Sequence, residues 1–186
     1  FLFVTEQSGI DNLISEGKDK KNIFFVGNTM IDTLIAFKEK IDASDILSRL
    51  KILSVEFALM TMHRPSNVDS AEGLSKLMEL INFVSVKYKI VFPIHPRTVK
   101  NLHIFNLYEK ISSNRKLILT EPLDYFSFQK LIKESKFIIT DSGGIQEEST
   151  FLNVHCLTLR RNTERPSTIL TGTNELVPFQ LTAVRD

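Results

Sequence analysis

Short apolar runs recur along this chain at helix-length intervals, and each ends in a polar loop. Residues 57–61, 90–94, 117–119, 137–139 and 155–159 are such runs, separated by segments of helical spacing. Few folds accept that alternation. Strands that are apolar throughout are covered on both faces, which requires a parallel sheet with helices on both sides. The N-terminal residues follow the same rule, with runs at 1–4 and 23–26 flanking a short helix over 8–17. Ser8 is the expected cap of that helix and Gly17 its stop. A helix is predicted over 30–41, where Ile31, Leu34, Ile35 and Phe37 lie near one face, then a second helix or helical connector over 42–53. Ser70 caps a long amphipathic helix carrying Leu74, Leu77, Met78, Ile81 and Val84. Further helices end near residue 105 and span about 126–135 and 145–151.

In an open parallel sheet, ligands bind beyond the carboxyl ends of the strands. Those ends carry His63 and Arg64, His95 and Arg97, residues 121–125, residues 141–144, and residues 160–165. The loops entering the strands hold mostly lysine and serine, so the chemistry is segregated on one rim. Its centre is the stretch 137–148, where a strand delivers Ser142, Gly143 and Gly144 to a helix expected to open at Ile145. Unpaired amides and the helix dipole favour an anion there, and glycine lets the backbone approach a phosphate. Glu147 and Glu148 are expected in the first helical turn, from which one of them can accept sugar hydroxyls. A strand-to-helix turn that uses glycine for geometry alone is the other reading. Phosphate turn, arginines, histidines and carboxylates together suit a phosphorylated sugar or nucleotide-sugar better than an apolar ligand. His63 and His95 are equally readable as loop hydrogen-bonders, and Phe128 as a core residue or as a platform for a base.

Composition narrows the classes. With 23 basic and 22 acidic residues the net charge is +1, so bulk charge gives no reason to expect nucleic-acid or membrane partners. No apolar run approaches the ~20 residues of a membrane span. The single cysteine, Cys156, falls in an apolar run and excludes an internal disulfide, which fits a reducing cytoplasm. The histidines are too dispersed for a metal cluster, and no cofactor is expected. The chain opens with Phe1 in an apolar run and is read as a fragment.

Six ordered stretches then match one family: residues 26–32 (VGNTMID), 61–64 with 67–69, 93–97 (PIHPR), 121–125 (EPLDY), 140–148 (TDSGGIQEE) and 162–166 (NTERP), with 172–174 (GTN) after them. Together they resemble the C-terminal half of a UDP-N-acetylglucosamine 2-epimerase over about residues 1–177. The resemblance implies a Rossmann-like C-terminal lobe of a glycosyltransferase-B-like two-domain fold. It divides the chain into a remnant of the N-terminal lobe (1–26), interlobe helices (27–50) and a UDP-binding lobe (51–186) incomplete at its end. It implies UDP-N-acetylglucosamine or UDP as ligand, and a homodimer for the full-length family. By the same resemblance Ser142, Gly143 and Gly144 hold the diphosphate, Glu148 the ribose hydroxyls and Arg165 faces the phosphates. Phe128 lies near the uracil and His63 lines the reacting pocket as the catalytic candidate. His95 marks a cleft position associated with a second UDP-sugar, and Arg64 and Arg97 complete the expected contacts. The family reaction eliminates UDP to give a 2-acetamidoglucal and adds it back with C2 inverted. Residues 153–155 depart from the family's turn, the text after Val177 leaves its pattern, and most of the N-terminal lobe with its acid/base carboxylates is absent. The polypeptide alone is therefore expected to bind UDP weakly without epimerising it. A hydrolysing relative that releases N-acetylmannosamine, a nucleotide-sugar glycosyltransferase lobe and an inactive UDP-binding remnant are the alternatives.

Overall fold

A computed structural model describes residues 1–180 of the 186. The chain divides into two compact units, Phe1–Lys38 and Glu39–Asp186. In the first, strands β1 (Leu2–Val4) and β2 (Ile23–Phe25) pair in parallel through helix α1 (Gln7–Ser15). Glu6, not Ser8, occupies the N-cap of α1, so the expected cap lies inside the helix. Gly17 ends it as expected: its φ of 77° turns the chain left-handed, and the amides of Gly17 and Lys18 close onto the carbonyls of Ile14 and Leu13. Helix α2 (Thr29–Ala36) is capped by the Asn28 side chain. The predicted helix 30–41 breaks at Phe37, whose φ of −107° and ψ of 15° are not helical, and α3 (Lys38–Asp42) restarts beyond it.

The second unit is built on one six-stranded sheet. The predicted helix over 42–53 contracts to α4 (Ile46–Arg49), followed by Lys51 at a φ of 56°. Then come β3 (Phe57–Thr61), α5 (Pro65–Val68), α6 (Ala71–Ser85), β4 (Lys89–Pro93), α7 (Pro96–Ile104), α8 (Tyr108–Ser112) and β5 (Leu117–Thr120). The chain continues through α9 (Tyr125–Glu134), β6 (Phe137–Thr140), α10 (Gly143–Phe151), β7 (Cys156–Leu159), α11 (Pro166–Leu170) and β8 (Asn174–Val177). The strand order is β5-β4-β3-β6-β7-β8, all pairs parallel. Helices α5, α8 and α11 and strand β8 are additions to the sequence reading. The departure expected after Val177 falls largely on residues 181–186, outside the described residues.

Alternation along the strands feeds two cores. Ala58, Met60, Ile90, Phe92 and Ile139 pack with Leu74, Leu77 and Ile81 of α6. Phe57, Leu59, Val91 and Ile138 pack instead with Ile46, Leu131, Ile132 and Ile145. Successive strand residues point to opposite faces, so a sheet with both faces buried needs the continuous apolar runs seen in the sequence. The chain leaves β3 toward β4 but leaves β6 toward β7. The carboxyl ends of the neighbours β3 and β6 therefore flank the switch point, where such sheets hold ligands.

Candidate functional site

At that switch point lies a cavity of about 240 Å³, lined by Thr61, Met62 and His63 after β3, Pro93 and His95 after β4, Leu123 after β5, Ser142 after β6, and Phe128 from α9. Four of the sequence-predicted site residues, His63, His95, Phe128 and Ser142, thus face one space. The His63 and His95 rings are 6.3 Å apart. His95 N-caps α7, its Nδ1 accepting the Arg97 amide at 3.1 Å. Phe128 packs against the core cluster that contains Leu131 and Ile132 and also lines the cavity.

The turn after β6 is more helical than the sequence suggested. Ser142 is the N-cap of α10, and Gly143 and Gly144 are its first two residues, so Glu147 and Glu148 fall in the second turn and not the first. The Ser142 hydroxyl makes no capping bond, while its amide donates to Thr140 Oγ1 at 3.0 Å. The first-turn amides of any helix lack intrahelical acceptors; here their usual side-chain cap is withheld. A Cβ on Gly143 would stand 3.3 Å from Glu164 Oε1, so this turn runs close beneath the loop after β7.

Asp141, immediately before the turn, is fully buried and collects four donors. Its carboxylate accepts the His63 amide at 3.1 and 3.2 Å, the Arg64 amide at 2.9 Å and Asn67 Nδ2 at 3.0 Å, and lies 3.1 Å from His63 Nδ1. Burial alone would raise the Asp141 pKa, but the His63 side chain, the Arg64 amide and Asn67 outweigh it and hold it below the usual value. The hydrogen bond to Asp141 raises the His63 pKa in turn, against burial and the Arg64 charge.

The remaining predicted residues do not line this cavity. Arg64 donates from Nε to the Asp141 carbonyl at 2.8 Å and borders a separate cavity of about 450 Å³ with Arg160 and Arg161. Arg97 is bound by Asp69 through both of its carboxylate oxygens and lines a further cavity with Asp69, Lys100 and Asn101. Arg165 is held to α10 by a 2.8 Å contact with Glu147. Glu148 is only 4% exposed and accepts Gln129 Nε2 at 2.6 Å. Burial pushes its pKa to about 7, opposed by Gln129 and assisted by the Glu147 charge.

Comparison with known proteins settles the family. The family model for UDP-N-acetylglucosamine 2-epimerase matches residues 1–186. The chain belongs to the UDP-N-acetylglucosamine 2-epimerase family. It is 42% identical over 181 residues to the UDP-N-acetylglucosamine 2-epimerase of Methanococcus maripaludis, covering 95% of this chain and 50% of that protein. Identity to the enzyme of Methanocaldococcus jannaschii is 40% over 182 residues, covering 95% and 50%. The crystal structure of the Methanocaldococcus jannaschii epimerase in complex with UDP-GlcNAc and UDP superposes with a TM-score of 0.89 at 38% identity, covering all of this chain and 53% of that one. The chain therefore spans about half the length of the curated relatives it matches. The parallel α/β sheet is that of the epimerases, whose fold is glycosyltransferase-B-like.

Two residues acquire a structural place beside the cavity that the sequence did not give them. Asp141 stood inside the TDSGGIQEE stretch without a role; only the structure shows it gripping the His63 loop. Gln146, fully buried, donates to the Ser142 carbonyl and accepts from Thr163 Oγ1 at 2.6 Å and Asn174 Nδ2 at 3.2 Å. It joins the glycine turn to the NTERP and GTN stretches. The sequence offered no apolar face to mark it, since its neighbours one helical turn away are Ser142, Gly143, Ser149 and Thr150.

Proposed function

We propose that this chain supplies the UDP-holding half of a UDP-N-acetylglucosamine 2-epimerase. The observation that carries the reading is the convergence of His63, His95, Phe128 and the uncapped first turn of α10 on one cavity at the β3/β6 switch point. In this reading the diphosphate lies against the amides after Ser142, where no side chain caps the first turn and the helix dipole favours negative charge. Phe128 packs near the uracil, Glu148 accepts ribose hydroxyls, and Arg165 adds positive charge from the far side of α10. Epimerisation removes the proton at C2 and breaks the bond from C1 to the phosphate oxygen. UDP departs with that electron pair while the C2–H pair becomes the C1–C2 double bond of the glucal; return of UDP to C1, with a proton delivered to the opposite face of C2, restores both bonds with C2 inverted. The contribution of this half is to stabilise charge on the departing diphosphate with preorganised donors. Residues 51–186 form the nucleotide lobe, 27–50 the interlobe helices and 1–26 part of the other lobe. The whole enzyme acts as a cytoplasmic homodimer.

Calorimetric titration of the purified chain tests the reading. UDP is expected to bind at least tenfold more tightly than uridine, because the α10 turn selects the diphosphate, and to shift the imidazole signals of His63 and His95. Equal affinity for UDP and uridine, or unmoved histidine signals, would refute it.

A further inference from the structure

We propose that Asp141 is the positioning residue of His63: it takes the Nδ1–H of the ring and pins the loop amides beneath it, so that Nε2 meets the cavity as a hydrogen-bond donor. The inference rests on the epimerase reading only for what Nε2 serves, a departing diphosphate. The geometry is specific. One carboxylate binds the backbone amides of His63 and Arg64, the Asn67 side chain and the imidazole itself. Both the base of the ring and its Nδ1 are thus fixed from the same buried point. With Nδ1 committed, Nε2 is the nitrogen left for the cavity that His63 lines.

The charged and titratable groups facing the ring are few. Asp141 stands at the end of β6, Arg64 follows on the same loop, and His95 approaches from the end of β4. The carboxylate dominates, and the His63 pKa rises in spite of burial and Arg64. A protonated His63 has no lone pair with which to take the C2 proton. It acts instead as a positive donor to the diphosphate oxygens, and the group that removes the sugar proton is a different one.

Nitrogen-15 imidazole spectra across a pH titration of the intact chain, with and without UDP, test this. His63 is expected to titrate above the ordinary histidine value of 6.5 and to retain its proton on Nδ1 when neutral, the reverse of the tautomer usual for free histidine. UDP affinity should fall about tenfold as pH rises through that midpoint. Asp141→Asn should lower the His63 midpoint by at least one pH unit, whereas Asn67→Ala, which removes another donor from the same carboxylate, should preserve the tautomer. A neutral His63 protonated on Nε2, or a midpoint at or below the ordinary 6.5, would overturn the proposal from the unsubstituted protein alone, even where Asp141→Asn fails to fold. Absence of UDP binding at every pH, with the titration as described, would overturn the epimerase reading and uphold the hold of Asp141 on His63.

Discussion

Glu148 is a carboxylate that the fold would be more stable without. It sits on α10, 4% exposed, with Gln129 Nε2 as its donor at 2.6 Å, and its pKa stands at about 7 against an ordinary 4.5. The folded protein therefore holds a proton there between pH 4.5 and 7 that the unfolded chain releases, and stability falls as pH rises through that interval. Each pH unit of displacement is worth ~1.4 kcal/mol, so ionised Glu148 costs the fold about 3 kcal/mol at pH 8.5. Glu148→Gln removes that charge. It also offers a donor to Gln129 Oε1, which is buried with no hydrogen-bond partner among the described residues. Urea unfolding of both proteins at pH 4.0 and pH 8.5 isolates the effect, because the other carboxylates cancel in the difference. The variant should be more stable by about 3 kcal/mol at the higher pH and nearly equal to the parent at the lower. Its affinity for UDP should drop about tenfold through loss of a charge-assisted bond to the ribose. A stability difference that does not change with pH would refute the reasoning. Retained affinity would separately remove Glu148 from the nucleotide site.

Gly73→Ala should destabilise by about 3 kcal/mol, read as a lowered urea midpoint, because its Cβ would lie 2.3 Å from the Asn67 carbonyl and backbone cannot yield as a side-chain end does. The same change should weaken UDP binding, since Asn67 helps to hold Asp141. The His63–Asp141 pair should stabilise most between about pH 4 and 6.5: His63, with a raised pKa, loses its contribution as pH rises through its folded value, and Asp141, with a lowered one, as pH falls through its own. His63→Gln should therefore shift the urea midpoint more at pH 5.5 than at pH 9. Burial pushes the Cys156 thiol up to about 11, so a disulfide reagent at pH 8 should leave it untouched in the native protein and modify it fully in denaturant.

The sheet was legible because a strand buried on both faces must be apolar at every position, and residues 57–61 can hardly be read otherwise. The cavity followed from the rule that binding lies at strand carboxyl ends, and His63, His95, Phe128 and Ser142 do converge there. What escaped was local. Glycine is a poor helix former, so the start of α10 was placed after Gly143 and Gly144, which shifted Glu147 and Glu148 by a turn. At the first helical positions that penalty is offset by the close approach of Glu164, which a Cβ would crowd. The break at Phe37 carries no proline or glycine to announce it. Nor does spacing reveal that Arg97 is occupied by Asp69 and Arg165 by Glu147, since ion pairs of 28 and 18 residues' separation depend on tertiary placement.

The stretches 61–69, 140–148, 162–166 and 172–174, which helped to carry the family likeness, are parts of one hydrogen-bonded object. Asp141 ties the loop after β3 to the end of β6; Gln146 ties the α10 turn to Thr163 beyond β7 and to Asn174 on β8; Thr158 reaches Asn174 at 2.6 Å, and Thr61 meets Thr140 at 2.6 Å beneath the cavity floor. Buried polar groups of this kind stabilise only when satisfied together, so each residue in the set constrains the identity of the others. On the proposed function, the cavity receives a polyanion and needs donors fixed before the ligand arrives, because loose donors would reorganise at a cost to binding. The network provides that rigidity, much of it from side chains behind the rim such as Asp141 and Gln146. Asp141 and Gln146 are accordingly the positions at which a small change should loosen the whole site, and Gln146→Leu should weaken UDP binding while leaving His63 at its native titration midpoint.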